Sequence, residues 1–311
     1  MNPGIESLFF LLIFPGLLFS ASVGILAGWV DRKVSARFQF RVGPPVLQNL
    51  NDILKLFGKE TILPREGVPW LFVLAPVGSF AMLILVSAMV GMALFFGRGF
   101  GGDLIVVLYL LMLHSVMLFQ GAASSGNVYA SMGAGREIKL LIADELVFLL
   151  VCLTAVVKAN FQLSLPAILT VQATGGALAG SLSGALALVL GVLCIQAKMA
   201  LPPFHIAEAE TELVEGPLMD YSGPLLGMWK LNQMVMYVVF PFLLILLFLG
   251  GFHLQGWGIL WALLKYAAIL VVMIIIKNTN PRLRIDTALA FFWKIAAPLA
   301  LLALVLAILG V

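Results

Sequence analysis

The chain has 311 residues, of which 62% are hydrophobic and 11% charged, with a net charge of +3. Its mean hydropathy of +1.10 lies far above a soluble domain, where about 45–50% of residues are apolar. Composition therefore excludes a water-soluble globule, and no basic stretch interleaved with aromatics offers a nucleic-acid surface. What remains is an all-α integral membrane protein.

The first apolar run begins after Met1-Asn2-Pro3-Gly4 without a basic flank, and it is too long for a signal-peptide core. It reads as a retained span. Spans of about 20 apolar residues are expected at 5–30, 71–96, 103–123, 138–159, 182–201, 223–249, 256–277 and 286–310, making eight in one membrane domain, 1–311. The third runs into a small-residue loop, Ala122 to Gly126, and the fifth follows a Gly/Ala/Ser-rich stretch, Gly175 to Gly184, that is either loop or helix. Between the first two spans, Leu50, Ile53, Leu54 and Phe57 recur at i, i+3, i+4 and i+7. That stripe predicts an amphipathic helix over 46–60, lying on the membrane or under a partner, after a turn forced by Gly43-Pro44-Pro45.

The loops after odd-numbered spans hold Arg32, Lys33, Arg37, Arg41, Lys55, Lys59, Arg65, Arg136, Lys139, Lys277, Arg282 and Arg284, whereas those after even-numbered spans hold Arg98 and Lys158. Positive charge marks the cytoplasmic side, so both termini are expected outside. The charges crowd into four segments, Asp31–Glu66, Arg136–Glu145, Glu208–Asp220 and Lys277–Asp286, and all four then share the cytoplasmic face.

Charge inside a bilayer costs about 2.5–3.5 kcal/mol per residue at a helix centre even on the lenient insertion scale. Asp144 and Glu145 stand inside the fourth span, flanked by Leu140-Leu141-Ile142-Ala143 and Leu146-Val147-Phe148-Leu149. They are either part of an ion path or pair with Lys139 or a neighbouring helix's lysine to hold the bundle. Helix neighbours diverge by roughly 100°, so at most one points straight into a common cavity. Glu208, Glu210, Glu212, Glu215 and Asp220 follow a span closely. Carboxylates so crowded cannot all ionise cheaply. The segment is either a proton relay or a solvated acidic loop, and its apolar frame of Leu201-Pro202-Pro203-Phe204 and Pro217-Leu218-Met219 favours the relay. Lys230, Lys265 and Lys294 lie inside spans as carboxylate partners or as snorkelling side chains, and His114 reads as a packed or hydrogen-bonded polar residue. Arg32, Lys33, Arg37, Arg41, Arg136, Arg282 and Arg284 converge on one face, as topology signal and headgroup contact or as a docking surface for a peripheral protein. Cys152 and Cys194 fall in separate apolar runs and form no CxxC. They read as packing residues, so the chain is expected to carry no redox centre of its own.

Four blocks carry a family resemblance. They are Asp31-Arg32-Lys33 through Arg41-Val42-Gly43-Pro44 and on to Leu47-Gln48, Asp52 to Leu56 and Lys59-Glu60; Gly135-Arg136 with Glu145; Pro203 to Leu213 with Gly216-Pro217 and Asp220-Tyr221-Ser222-Gly223; and Asn280 to Asp286 with Trp293-Lys294. Together they resemble the family of the H-type membrane subunit (also called subunit 1) of respiratory complex I and of energy-converting membrane-bound [NiFe] hydrogenases. The direct run of Gly43-Pro44-Pro45-Val46 into Leu47-Gln48, and Glu215-Gly216-Pro217-Leu218 without an aromatic, resemble the hydrogenase-type subunits and their sulfur-reducing relatives. His205 and Asp220 stand where that family usually has aspartate and glutamate, and Asp144 stands where a tyrosine is usual in complex I.

The resemblance implies a non-catalytic membrane subunit of the cytoplasmic membrane. It would anchor a hydrogenase-like large and small subunit, whose nickel–iron centre and iron–sulfur clusters lie outside this chain, and pass ions laterally to antiporter-like membrane subunits. It implies an ion-coupling set of Asp144, Glu145, Glu208, Glu210, Glu212, Glu215, Asp220, Lys230 and Lys265. It also implies a docking set of Arg32, Lys33, Arg37, Arg41, Lys55, Lys59, Glu60, Arg136, Arg282, Arg284 and Asp286. The alternatives are the quinone-chamber subunit of a complex I-type oxidoreductase and the equivalent subunit of a sulfane-sulfur reductase. A stand-alone permease would show an inverted repeat with broken helices, and no such repeat is found.

Overall fold

The computed structural model describes residues 3–207, 214, 216–253 and 255–310. Among these residues the regular structure is helical, without a strand. Seven helices are long and apolar enough to cross a membrane, and one further apolar helix is shorter. The membrane-crossing helices are α2 (Leu17–Phe38, entered through the short α1, Pro3–Leu12), α4 (Pro69–Phe96), α5 (Asp103–Ala123), α6 (Val128–Lys158), α9 (Gly223–Phe248), α10 (Gly258–Thr279) and α11 (Ile285–Ile308). The shorter elements are α3 (Gln48–Phe57), α7 (Leu165–Gly175) and α8 (Leu182–Lys198).

Three boundaries differ from the expectation in ways that matter for the site. The first span breaks at 13–16, where the Gly16 N–H reaches back to the Phe10 carbonyl at 3.0 Å, and α2 then runs on to Phe38. The fourth begins ten residues early, at Val128, capped by Asn127, whose Oδ1 accepts from the Tyr129 N–H at 2.9 Å. Asp144 and Glu145 therefore lie near the middle of a 31-residue helix, about 24 Å along it. The fifth ends early. At 17 residues, α8 is about 26 Å long, short of a hydrocarbon core of about 30 Å. It stops at Lys198, and residues 199–207 continue without a helix. Irregular backbone at membrane depth is tolerated where it lines a cavity, and this stretch does so.

The core is built around α9, buried without interruption from Val235 to Phe248. A helix apolar on every side is a buried helix. Gly24 of α2 lies so close to the Met234 carbonyl that any side chain there would overlap it, the close crossing that small residues permit in membranes. Two helix-interior prolines, Pro76 in α4 and Pro241 in α9, each remove the N–H that would satisfy the carbonyl four residues earlier. Tyrosine hydroxyls take both places, Tyr221 donating to Phe72 O and Tyr266 to Tyr237 O, each at 3.1 Å. At the far end of α9, Gln172 Nε2 donates to Leu246 O (2.8 Å) and Lys265 Nζ to Leu249 O (2.6 Å) and Gly251 O (3.0 Å), closing carbonyls a helix end leaves open.

The surface helix α3 leaves most of its apolar stripe outward, free for the membrane or a partner. Asn49 and Ile53 are buried and Leu56 meets Gly227 of α9, while Leu50, Leu54 and Phe57 are exposed.

Candidate functional site

Two polar clusters occupy the half of the molecule that contains the charged loops. The first fills a cavity of about 330 Å³ between α2, α3, α9 and α10. Asp31 is 4% exposed. Its Oδ2 accepts from Lys277 Nζ at 2.6 Å and from the Tyr237 hydroxyl at 3.0 Å. Along the seam between α2 and α3, Arg32 Nη1 donates to Asn49 Oδ1 (2.6 Å) and pairs with Asp52 Oδ2 (3.1 Å). Trp29 Nε1 donates to Pro44 O at 3.1 Å. Lys230 and Gln233 complete the wall.

The second cluster lies deeper. Lys198 Nζ is 2.5 Å from Glu145 Oε2 and 3.1 Å from Asp144 Oδ2, with 2% of the Lys198 and Asp144 side chains exposed. The ammonium also sits 4.8 Å over the Phe148 ring. Asp144 and Glu145 diverge around α6, and one lysine entering from the broken end of α8 bridges the gap between them. A cation in the last turn of a helix is favoured by its dipole, and the early end of α8 places Lys198 at this depth. Two carboxylates share one ammonium, so the cluster holds one negative charge more than its contacts balance. Isolated buried charge is costly, and an entering proton or monovalent cation restores neutrality. Glu145 is the partly exposed member and borders an apolar groove of about 350 Å³ between α5 and α6.

Of the two partners the sequence offered, Lys139 is exposed and a neighbouring helix supplies the lysine, Lys198, a residue not named in the expected set. Lys265 does not join either cluster; it closes the far end of α9. Lys230 lines the first cavity and Lys294 is exposed. His114 is buried, its Nδ1 2.6 Å from Ser79 Oγ. Asp220 accepts from Asn127 Nδ2 at 3.0 Å. Next to it Tyr221 stacks on Phe72, centroids 4.0 Å apart, and burial pushes its hydroxyl well above the ordinary tyrosine range. Glu208, Glu210, Glu212 and Glu215 lie outside the described residues. His205, at the start of that segment, bonds through Nδ1 to Ala200 O at 2.7 Å.

Of the expected docking set, Arg136, Arg282, Arg284 and Asp286 line one depression of about 360 Å³. The backbone fixes its position, since the Leu283 N–H donates to Pro203 O at 2.9 Å. Lys33 donates to Gly43 O at 3.3 Å. Arg37, Arg41, Lys55, Lys59 and Glu60 are exposed on the same end of the molecule. Cys152 and Cys194 are buried free thiols. Among the described residues no group of three or more His, Cys, Asp or Glu is placed to hold a metal.

The family profile described as NADH dehydrogenase matches residues 10–308. The H subunit of NADH-quinone oxidoreductase from Syntrophotalea carbinolica is 34% identical over 97% of this chain and 96% of its own length. That of Thermomicrobium roseum is 34% identical over 92% and 91%. Among solved structures, a chain of the membrane-bound sulfane sulfur reductase, an archaeal respiratory membrane complex, superposes with a TM-score of 0.84 at 26% identity, covering 98% of this chain and 99% of that one. An all-helical membrane bundle, matched nearly end to end by a family profile and by such relatives, belongs to the NADH dehydrogenase family of H-type respiratory-complex subunits.

Proposed function

We propose that this chain is the membrane subunit that anchors a cytoplasmic redox arm and couples its electron transfer to proton or sodium translocation. The observation that carries the reading is the Lys198–Asp144–Glu145 cluster, one cation short of neutrality and nearly closed to solvent. An intramembrane ionisable cluster is an ion-path candidate by default. The acidic segment at Glu208, Glu210, Glu212, Glu215 and Asp220 is the proposed sensor of the arm's redox state, and Glu145 with Asp144 the relay toward the midplane. The arginine depression of Arg136, Arg282 and Arg284 is the proposed seat of the arm, because guanidinium forks match carboxylates on a partner. The asymmetry of Lys and Arg supports placing this side in the cytoplasm of a bacterial-type inner membrane, with both chain ends outside.

For the arm itself we infer the hydrogenase or sulfane-sulfur-reductase type, with nickel–iron or other catalytic centres and iron–sulfur clusters in partner subunits and antiporter-like subunits alongside. The support is the short connection into α3, on a seam stitched by Arg32, Asn49, Asp52 and Trp29. One observation favours a second reading, a quinone chamber. The 330 Å³ cavity lies on that same seam, and ligand pockets start at about 300 Å³.

Purification of the native complex in mild detergent, with nickel, hydrogen evolution and quinone reduction measured on one fraction, separates the arms. Glu145→Gln tests the coupling: the expected outcome is electron transfer without ion movement. Unaltered ions per electron pair would sink the relay.

A further inference from the structure

Next to the first cavity lies a second, of about 50 Å³, bordered by α5, α6, α9 and the broken end of α8. Its polar wall is His114, Glu137, Lys198, Trp229, Asn232 and Gln233. Three features of this space point to one ligand, water.

The first is size. A water needs about 10–15 Å³ of such space, so the cavity accommodates roughly three.

The second is unfinished hydrogen bonding. Asn232 is 1% exposed and donates through Nδ2 to Ser79 Oγ at 3.0 Å, the hydroxyl that also meets His114. Its Oδ1 has no protein donor among the described residues. A buried polar atom without a partner is destabilising. One water donating to the amide oxygen would satisfy it.

The third is position. Lys198 lines this cavity while its ammonium holds Asp144 and Glu145. Among the described residues, Gln233 is the one that lines both this cavity and the larger one containing Asp31, Arg32, Lys230 and Lys277. Gln233 is half-buried, and its carboxamide, both donor and acceptor, can bond to water in either space.

We propose that the inner cavity is a water chamber serving Lys198, and that the Gln233 side chain is the gate between it and the cytoplasm-facing cavity. Protons arriving from the acidic side enter as excess charge on the chamber waters. Lys198 passes one N–H proton to Asp144 or Glu145. The amine left behind takes a proton from the adjacent chamber water, which is replaced by the proton entering at the Gln233 end. The chamber and the ammonium are thus restored while one carboxylate gains the proton. This deepens the coupling reading above and, for the ion-path part, rests on it. The water occupancy does not.

The test has two arms, both on the intact complex. A cryo-EM map that resolves ordered water should show a peak within hydrogen-bond distance of Asn232 Oδ1. A dry chamber overturns the proposal whatever the coupling assay gives. Gln233→Leu keeps most of the side chain's bulk but removes its polar head. It should slow ion translocation by roughly tenfold, the factor that about 1.4 kcal/mol of added barrier gives, and so lower the ions moved per electron pair wherever electron transfer outruns it. Gln233→Ala should leave the two cavities joined and raise passive proton leak through the de-energised complex. Wild-type coupling in Gln233→Leu together with wild-type leak in Gln233→Ala overturns the gate. Glu145→Gln is measured in parallel: a loss of coupling there with no effect at Gln233 refutes the gate alone, and no loss in Glu145→Gln refutes the coupling reading instead.

Discussion

Asp31 and Lys198 sit at the centres of two ion clusters made from the same side-chain types. Asp31 meets a single lysine, Lys277, whose side chain is 24% exposed, and is steadied by a tyrosine hydroxyl. Lys198 meets two carboxylates with 2% of its own side chain exposed. The first pairs one carboxylate with one partly exposed lysine, a brace joining α2, α9 and α10. The second sets two carboxylates against one buried lysine, with Glu145 its partly exposed member, and under the coupling proposal its charge balance is what a translocated ion would change. Charge count and lysine burial, rather than residue type, separate the two.

The strongest way to break that contrast is to remove the shared lysine. Lys198→Met leaves two buried carboxylates without their cation, and losing one side of a buried pair costs about 3–5 kcal/mol. The expected result is a steep fall in the melting temperature and yield of the assembled complex. Combining it with Asp144→Asn and Glu145→Gln should recover assembly without recovering ion translocation. Asp31→Asn is the matching experiment on the brace. Loss of a charge-assisted bond there costs about 1.5–3 kcal/mol, read as a smaller melting shift, and ions per electron pair should stay at the wild-type ratio. A drop as deep as that of Glu145→Gln would erase the distinction. Tyr237→Phe removes one hydroxyl from Asp31 and should cost about 1 kcal/mol in the same melting assay. Asp52→Ala breaks the Arg32–Asp52 pair, whose side chains are 47% and 41% exposed, and leaves the Arg32–Asn49 bond in place; its cost should fall within about 0.2–1 kcal/mol, detectable only as a salt-dependent shift.

How much of this was legible beforehand depends on what a bilayer hides. Asp144 and Glu145 stood out because a carboxylate in an apolar run is expensive wherever the run ends. Lys198 did not, because a lysine closing an apolar stretch before Met199-Ala200-Leu201-Pro202 reads as an interfacial anchor. Its depth follows from α8 stopping at 17 residues while α6 extends to 31, which is a relation between two helices. The count of apolar residues before Lys198, short of a full span, was the signal available. Lys265 is the reverse case: a lysine inside a run suggested an ion path, but the carbonyls it serves belong to the end of α9. On α3 the periodicity was readable and the facing was not. Lipid is as apolar as leucine, so a stripe of Leu50, Leu54 and Phe57 does not say which side meets protein. The polar Asn49 beside Ile53 marks the inward side, because it answers Arg32.

The length of α6 has a mechanical consequence. Arg136, in the arginine depression, and Glu145, in the buried cluster, are carried on the same unbroken helix, about 13.5 Å apart along its axis. A hydrogen-bonded helix is stiff in compression, so a push or pull delivered at Arg136 arrives at Glu145 with its stroke intact. The helix is a rod between the surface and the interior, and if the proposed arm seats on the arginines, its movement there sets the throw.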